Sequence, residues 1–418
     1  MNIKNRLILM SFLQFFVWGA WLITVGNYWF ATKQWKADDF GAIFSTLGLS
    51  SILMPALTGI IADKYLNAEK LYGILHIIGG LLLCYIPQVE SPASFFWIIL
   101  SAMLCYMPTL SLSNSIAYNI LKNNKFDVVK VFPPIRVWGT IGFIIAMWIT
   151  NISGNKASAN MFYIAAIAAV TLGIYSFFLP KCPPQKLISK NATLVQKLGL
   201  DAFKLFGTYK IALFLIFSMF LGAALQLTNM YGDTFLSDFS KIPEYSNSFV
   251  AKYSTIIMSI SQISETLFIL AIPFFLKRFG IKQVMLMSML AWVIRFGLFA
   301  YGNPTDGLWM IITSCIVYGM AFDFFNISGS LFIETTTDSK IRSSAQGLFM
   351  MMSNGFGAVI GSTISANMIQ TYFTNQDNSR DWQGIWTAFS IYAAVISILF
   401  ALLFKHKHNP KEIQNISH

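Results

Sequence analysis

Long apolar stretches separated by short polar interruptions set the pattern of this chain. After a basic start containing Lys4 and Arg6, an apolar run covers residues 7–31. About 20 such residues cross the hydrocarbon core as a helix, whereas the core of a signal peptide is roughly 7 to 15 residues, so this run is expected to be a retained first helix. Further spans are expected at 40–62, 71–87, 94–121, 136–150 and 161–179. A second group is expected at 211–235, 253–276, 284–301, 308–333, 343–372 and 385–404. An outer-membrane barrel would show alternating segments of about ten residues instead. The pattern therefore predicts an all-α membrane protein with twelve transmembrane helices. Gly, Pro and polar residues interrupt several spans, which fits helices packed around a cavity.

Composition agrees with the pattern. Of 418 residues, 56% are hydrophobic and 11% charged, against about 25% charged in a soluble domain. The formal charge of +11 does not point to nucleic acid, because the positive residues sit in short loops rather than in one basic patch. Cys84, Cys105 and Cys315 fall in apolar segments and Cys182 in a basic loop. With no CxxC pair and no Cys/His cluster, neither a disulfide framework nor a metal site is expected, and no cofactor is implied.

Charge also orients the bundle. With the N-terminus inside, 21 Lys and Arg fall in inside segments, among them Lys64, Lys130, Lys181, Lys186, Lys277 and Lys340, and six fall outside, Lys33 and Arg380 among them. The positive-inside rule then places both termini in the cytoplasm. A basic connection divides six spans from six. The expected units are a bundle at 1–180, a cytoplasmic linker at 181–210, a second bundle at 211–405 and a cytoplasmic tail at 406–418.

Ionisable and amide residues at membrane depth are costly unless they are paired or hydrated, so they are the functional candidates. Arg136, Thr140 and Phe143 stand at i, i+4 and i+7, presenting a cation, a hydroxyl and a ring on one helix face. Arg136 snorkelling after a break at Pro133-Pro134 would be the structural alternative. Gln226 with Asn229, and Gln262 with Glu265, are i,i+3 pairs that either read a neutral polar ligand or bind their two helices together. Glu265 is also a candidate proton carrier. Tyr318, Phe322 and Asp323 set a carboxylate among aromatics, offering a stacking wall and a group that accepts hydroxyl hydrogen bonds or exchanges a proton. Ordinary packing around one buried ion pair, Asp323 with Arg295 or Arg136, is the alternative there. Asn114, Asn326 and Arg295 are weaker candidates.

The six-plus-six plan resembles the major facilitator superfamily. Gly59, Asp63 and Lys64 match the start of its loop motif, although Leu66 stands where a second glycine is usual. Four longer segments carry a more specific resemblance: SFLQFFVWGAW from Ser11, FPPIRVWGTIG from Phe132, SISQISETLF from Ser259 and YGMAFDFFNISG from Tyr318. With them the chain resembles the bacterial nucleoside/proton symporters of that superfamily, and among these the broad-specificity nucleoside permease more than the xanthosine-selective one. The resemblance implies proton-driven uptake of purine and pyrimidine nucleosides, uridine and adenosine included, across the bacterial inner membrane by alternating access. It also implies a substrate site of Arg136, Thr140, Phe143, Gln226, Asn229, Gln262, Glu265, Tyr318, Phe322 and Asp323, with Asp323 and Glu265 coupling the proton. Expected partners are nucleosides, protons and membrane lipid, with no nucleic acid, and the chain is expected to act as a monomer. There is no P-loop and no nucleophile/base arrangement, so neither ATP drive nor an enzyme is expected. A facilitative carrier without a proton is the main alternative, ahead of a membrane-embedded receptor or enzyme.

Overall fold

The computed structural model describes residues 2–184, 200–338 and 341–406. Most of the expected linker and tail, at 185–199 and 407–418, lies outside the described residues, as do Lys186 and Lys340. The chain divides into two compact units, Met1–Leu198 and Gly199–His418.

In the first unit six rods follow one another: α1 Ile3–Gly19, α2 Ala37–Lys64, α3 Ala68–Tyr85, α4 Pro92–Asn123, α5 Val128–Ile152 and α6 Asn160–Ser176. In the second, α7 is Tyr209–Asp238, and the continuous stretch Ser254–Tyr301 holds two helices, α8 before Gly280 and α9 after it. Then come α10 Leu308–Thr336 and α11, made of Arg342–Met350, a π turn Met351–Gly357 and Ala358–Tyr372. α12 is Trp382–Leu403. Eight helices are long and apolar enough to cross a membrane by length and composition. Exposed Leu81, Trp97, Ile167, Leu270 and Leu402 give the rods an apolar outer surface that suits lipid and would associate in water.

Packing repeats between the units. α1 lies on α5, α2 on α4 and α3 on α6; six helices later, α7 lies on α11, α8 on α10 and α9 on α12. Repeated pairing of this kind is the mark of an internally duplicated transporter fold.

Local chemistry moved several expected boundaries. The first apolar run is not one rod: α1 stops at Gly19, and helix resumes only at Val25–Asn27, followed by a π turn at Tyr28–Thr32. A side chain satisfies a carbonyl freed at this break, Thr150 Oγ1 donating to the Ala20 carbonyl at 3.1 Å, while Thr24 Oγ1 adds a bond at 3.3 Å to the Trp21 carbonyl, which also accepts from Val25 N. α5 starts eight residues before the expected position 136 and runs through Pro133 and Pro134. Both prolines are exposed in its second turn, where water can satisfy the carbonyls they leave open, and Asp127 caps the helix by accepting from Lys130 N at 3.3 Å. The expected gap between the spans at 253–276 and 284–301 closes to one residue, Gly280, with φ 77° and ψ 171°. Only glycine adopts that region readily, so a single residue interrupts the helix.

Candidate functional site

In the first unit, the α1/α5 contact positions the Arg136 face. At 100° per residue Arg136, Thr140 and Phe143 fall within about 60° of each other on α5. Gly139 lets α1 approach closely: a Cβ there would stand 2.7 Å from both Arg136 Nη1 and the Phe15 ring. The Arg136 guanidinium thus lies 3.9 Å over the face of Phe15, a cation–π contact rather than a free snorkelling chain. Phe143 is buried, with Trp18 of α1 meeting it edge-on at 6.4 Å. Thr140 is half-buried.

Behind this face lies a polar network that sequence reasoning missed. Gln14 is fully buried on α1, and its Oε1 accepts from the Tyr72 hydroxyl at 2.5 Å and pairs with His76 Nε2 at 2.9 Å, both on α3. Its Nε2 donates to Thr109 Oγ1 on α4 at 2.9 Å, and Thr109 in turn donates to the Tyr106 carbonyl. An amide oxygen only accepts, so the His76 proton sits on Nε2. Tyr106 donates to the Gln14 backbone carbonyl at 2.7 Å, and its ring stands 5.5 Å from Trp18. The network therefore fixes α1, the helix that carries both Phe15 and Trp18. The signal was present in the sequence as a lone histidine and a glutamine inside apolar spans, since rules for intramembrane polar groups apply to them as well as to carboxylates.

In the second unit, Gln226 and Asn229 project from α7, Gln262 and Glu265 from α8, and Tyr318, Phe322 and Asp323 from α10. α8 and α10 touch where they carry these residues: a Cβ on Gly319 would lie 2.6 Å from Ser264 and 2.7 Å from Glu265 N. Tyr318 and Phe322 stack in parallel, with centroids 5.9 Å apart and planes 6° apart, forming the expected aromatic wall. Glu265, Asp323 and Arg295 all act electrostatically on Tyr318. The structure therefore groups the α8 and α10 candidates.

Gln226 is 5% exposed and its Oε1 has no hydrogen-bond partner, so this oxygen does not bind α7 to a neighbour as the structural alternative supposed. Nor, among the described residues, does Asp323 form the ion pair with Arg295 that was its structural alternative. It is 5% exposed with Oδ2 unpartnered, and Arg295 bonds instead to Thr228, Ser261 and Ser314. Beside Phe322 a cavity of about 20 Å³, enough for about one water, is lined by Ser218, Trp292, Asn326 and Asn354. That cavity gives the weaker candidate Asn326 a place. Asn114 lies elsewhere, lining a 760 Å³ cavity of the first unit with Ser111, Tyr118 and Asn119.

A buried carboxylate, an unpartnered amide oxygen and a stacked aromatic wall can hold a planar polar molecule and move a proton; nothing in them requires covalent chemistry. Comparison with known proteins decides the class, because the family model for nucleoside H+ symporters matches residues 1–409. The chain belongs to the nucleoside H+ symporter family. It is a transporter, not an enzyme, with the major facilitator fold. This symporter is 49% identical to the nucleoside permease NupG of Escherichia coli strain K12 over the full length of both chains. It is equally 49% identical to the xanthosine permease of the same organism, over 99% of each, so overall identity does not separate the two substrate ranges. A crystal structure of the nucleoside transporter NupG carrying a D323A substitution superposes with a TM-score of 0.94, covering 97% of this chain and 100% of that one.

Proposed function

We propose that this symporter takes up purine and pyrimidine nucleosides across the bacterial inner membrane, driven by protons and working by alternating access with all twelve rods crossing the bilayer. The observation that carries the reading is that two candidate site atoms of the second unit, Gln226 Oε1 and Asp323 Oδ2, are buried without partners, and that Asp323 directly follows the stacked Tyr318/Phe322 pair. A buried polar atom left unsatisfied costs about 1–3 kcal/mol, and a ligand that pairs with it recovers that energy. A base lies against the aromatic wall, ribose hydroxyls donate to Asp323, and the amides read the base edge. Arg136, Thr140 and Phe143 supply a second polar and aromatic set from the first unit. Protonation of Asp323 or Glu265 removes a buried charge, so a loaded carrier reorients more readily than one with an ionised carboxylate.

The test is uptake of radiolabelled uridine and adenosine into proteoliposomes under an imposed pH gradient. Accumulation that is lost when the gradient is collapsed supports the symporter, whereas uptake that only equilibrates, with or without the gradient, would make the protein a facilitative carrier. Because identity to the xanthosine permease is the same, a xanthosine-selective range is the second reading, and excess xanthosine as competitor separates the two.

A further inference from the structure

Arg295 on α9 is fully buried, yet it forms no ion pair among the described residues. Its Nε donates to Thr228 Oγ1 at 3.1 Å, and Nη1 donates to the Ser314 carbonyl at 2.7 Å and to Ser261 Oγ at 3.4 Å, while Nη2 has no partner. The plane of the guanidinium lies 4.7 Å over Tyr318 and 5.0 Å over Phe299. Each polar partner adjoins a candidate site residue: Thr228 precedes Asn229, Ser261 precedes Gln262, and Ser314 stands one turn before Tyr318. One side chain thus holds α7, α8 and α10 in register where they carry the second unit's site.

A guanidinium stays protonated, so this interior holds a permanent cation whose hydrogen-bond and ring partners among the described residues are all neutral. A carboxylate follows the same aromatic stack in sequence. Arg295 covers Tyr318, Tyr318 stacks on Phe322, and the next residue is Asp323, buried and with Oδ2 unpartnered. Other ionisable groups on these helices are Glu265, Cys315 and Tyr318 nearby and Asp233 one turn beyond Asn229 on α7. Lys277, Arg278, Lys282 and Glu334 stand at least eleven residues along their helices from Glu265, Arg295 or Asp323, roughly 16 Å or more, and are weakly felt.

We propose that Arg295 is the fixed counter-charge of Asp323, a positioning residue that sets the proton concentration at which the carrier loads. With Asp323 ionised the two charges balance within the unit; with Asp323 protonated the guanidinium is uncompensated, so Arg295 resists loading until protons are abundant. This rests on the reading of Asp323 as a proton site.

Arg295→Lys and Arg295→Gln would be compared with the native protein in proteoliposomes, measuring gradient-driven uridine uptake across pH and counterflow without a gradient. The lysine variant keeps the charge and should hold the native pH midpoint. The glutamine variant should move it to higher pH by about one unit, a tenfold lower proton concentration, because the carboxylate then protonates without an opposing cation. An unshifted profile at reduced rate in Arg295→Gln would overturn the proposal and leave Arg295 a brace. Should that variant be too unstable to assay, the double variant Arg295→Gln/Asp323→Asn removes both charges and should melt above the single one; an equal or lower melting temperature would equally overturn it. Native uptake indifferent to the pH gradient would instead defeat the proton-coupled reading, whatever the Arg295 variants do.

Discussion

Replacing Gln14 by alanine tests how the first unit holds α1, the helix packed against the Arg136 face. The substitution removes three side-chain hydrogen bonds, to Tyr72, His76 and Thr109, and leaves their polar atoms in a dry interior. Hydrogen bonds between membrane helices average about 0.6 and reach about 1.7 kcal/mol, so three give a loss of about 2–5 kcal/mol. At about 2–4 °C per kcal/mol for a unit of this size, the melting temperature in detergent should fall by at least about 4 °C. Nucleoside binding should weaken as well, because α1 carries Phe15 beneath Arg136 and Trp18 against Phe143. The decisive assay is a double-mutant cycle with Tyr72→Phe. Alone, Tyr72→Phe should cost about 0.6–1.7 kcal/mol, but in the Gln14→Ala background nearly nothing, since the hydroxyl has already lost its acceptor. Strictly additive losses would refute a shared network.

Four further outcomes are expected. Phe143→Ala should weaken nucleoside binding by about 0.5–1.5 kcal/mol through lost ring contact, and an unchanged isotherm with folded protein would reduce Phe143 to packing. Asp323→Asn or Glu265→Gln should abolish pH-driven accumulation while some counterflow survives; native accumulation and pH dependence in both variants would move the proton site elsewhere. A cysteine at Lys130, whose side chain is 84% exposed, should be labelled only by a reagent that reaches the cytoplasm, and labelling from outside intact cells would invert the topology. Burial and then the neighbouring Glu69 push the Cys182 thiol up to about 12, so it stays protonated at lower pH and should resist maleimide at pH 8; rapid modification there, read by peptide mass, would contradict this.

The rods were legible because apolar length at membrane depth allows few other readings, and the α5 face was legible because Arg136, Thr140 and Phe143 obey the helical period. The break after Gly19 was hidden, since residues 20–24 are as apolar as the helix before them, and the Thr24 and Thr150 side chains that accommodate it act through space. Pro133 and Pro134 read as a stop, yet two prolines near the water-exposed start of a helix remove few bonds that solvent cannot replace. Gln14 and His76 went unnoticed because, unlike the amides paired at i,i+3, they meet only through space, between α1 and α3. The ion pair with Arg295, the structural alternative for Asp323, does not form among the described residues, because Arg295 bonds to Thr228, Ser261 and the Ser314 carbonyl, partners that look unremarkable in sequence.

These two polar interiors differ in a way that bears on coupling. In the first unit, Gln14, Tyr72, His76, Tyr106 and Thr109 satisfy one another, and a closed network of this kind rigidifies the helices it joins. In the second, two buried ionisable side chains, Arg295 and Asp323, each keep a polar atom without a partner, as does the Gln226 amide. Unsatisfied groups are costly, and the cost changes when a proton or a hydroxyl arrives, whereas a satisfied network has little to gain from either. A ligand can shift an equilibrium between conformations only by interacting differently with them. On the proposed reading the second unit holds the groups whose energy depends on what is bound, and the Gln14 network of the first holds α1 firmly. On this division, disabling Gln14 weakens binding at every pH, whereas disabling Arg295 or Asp323 changes how uptake depends on pH.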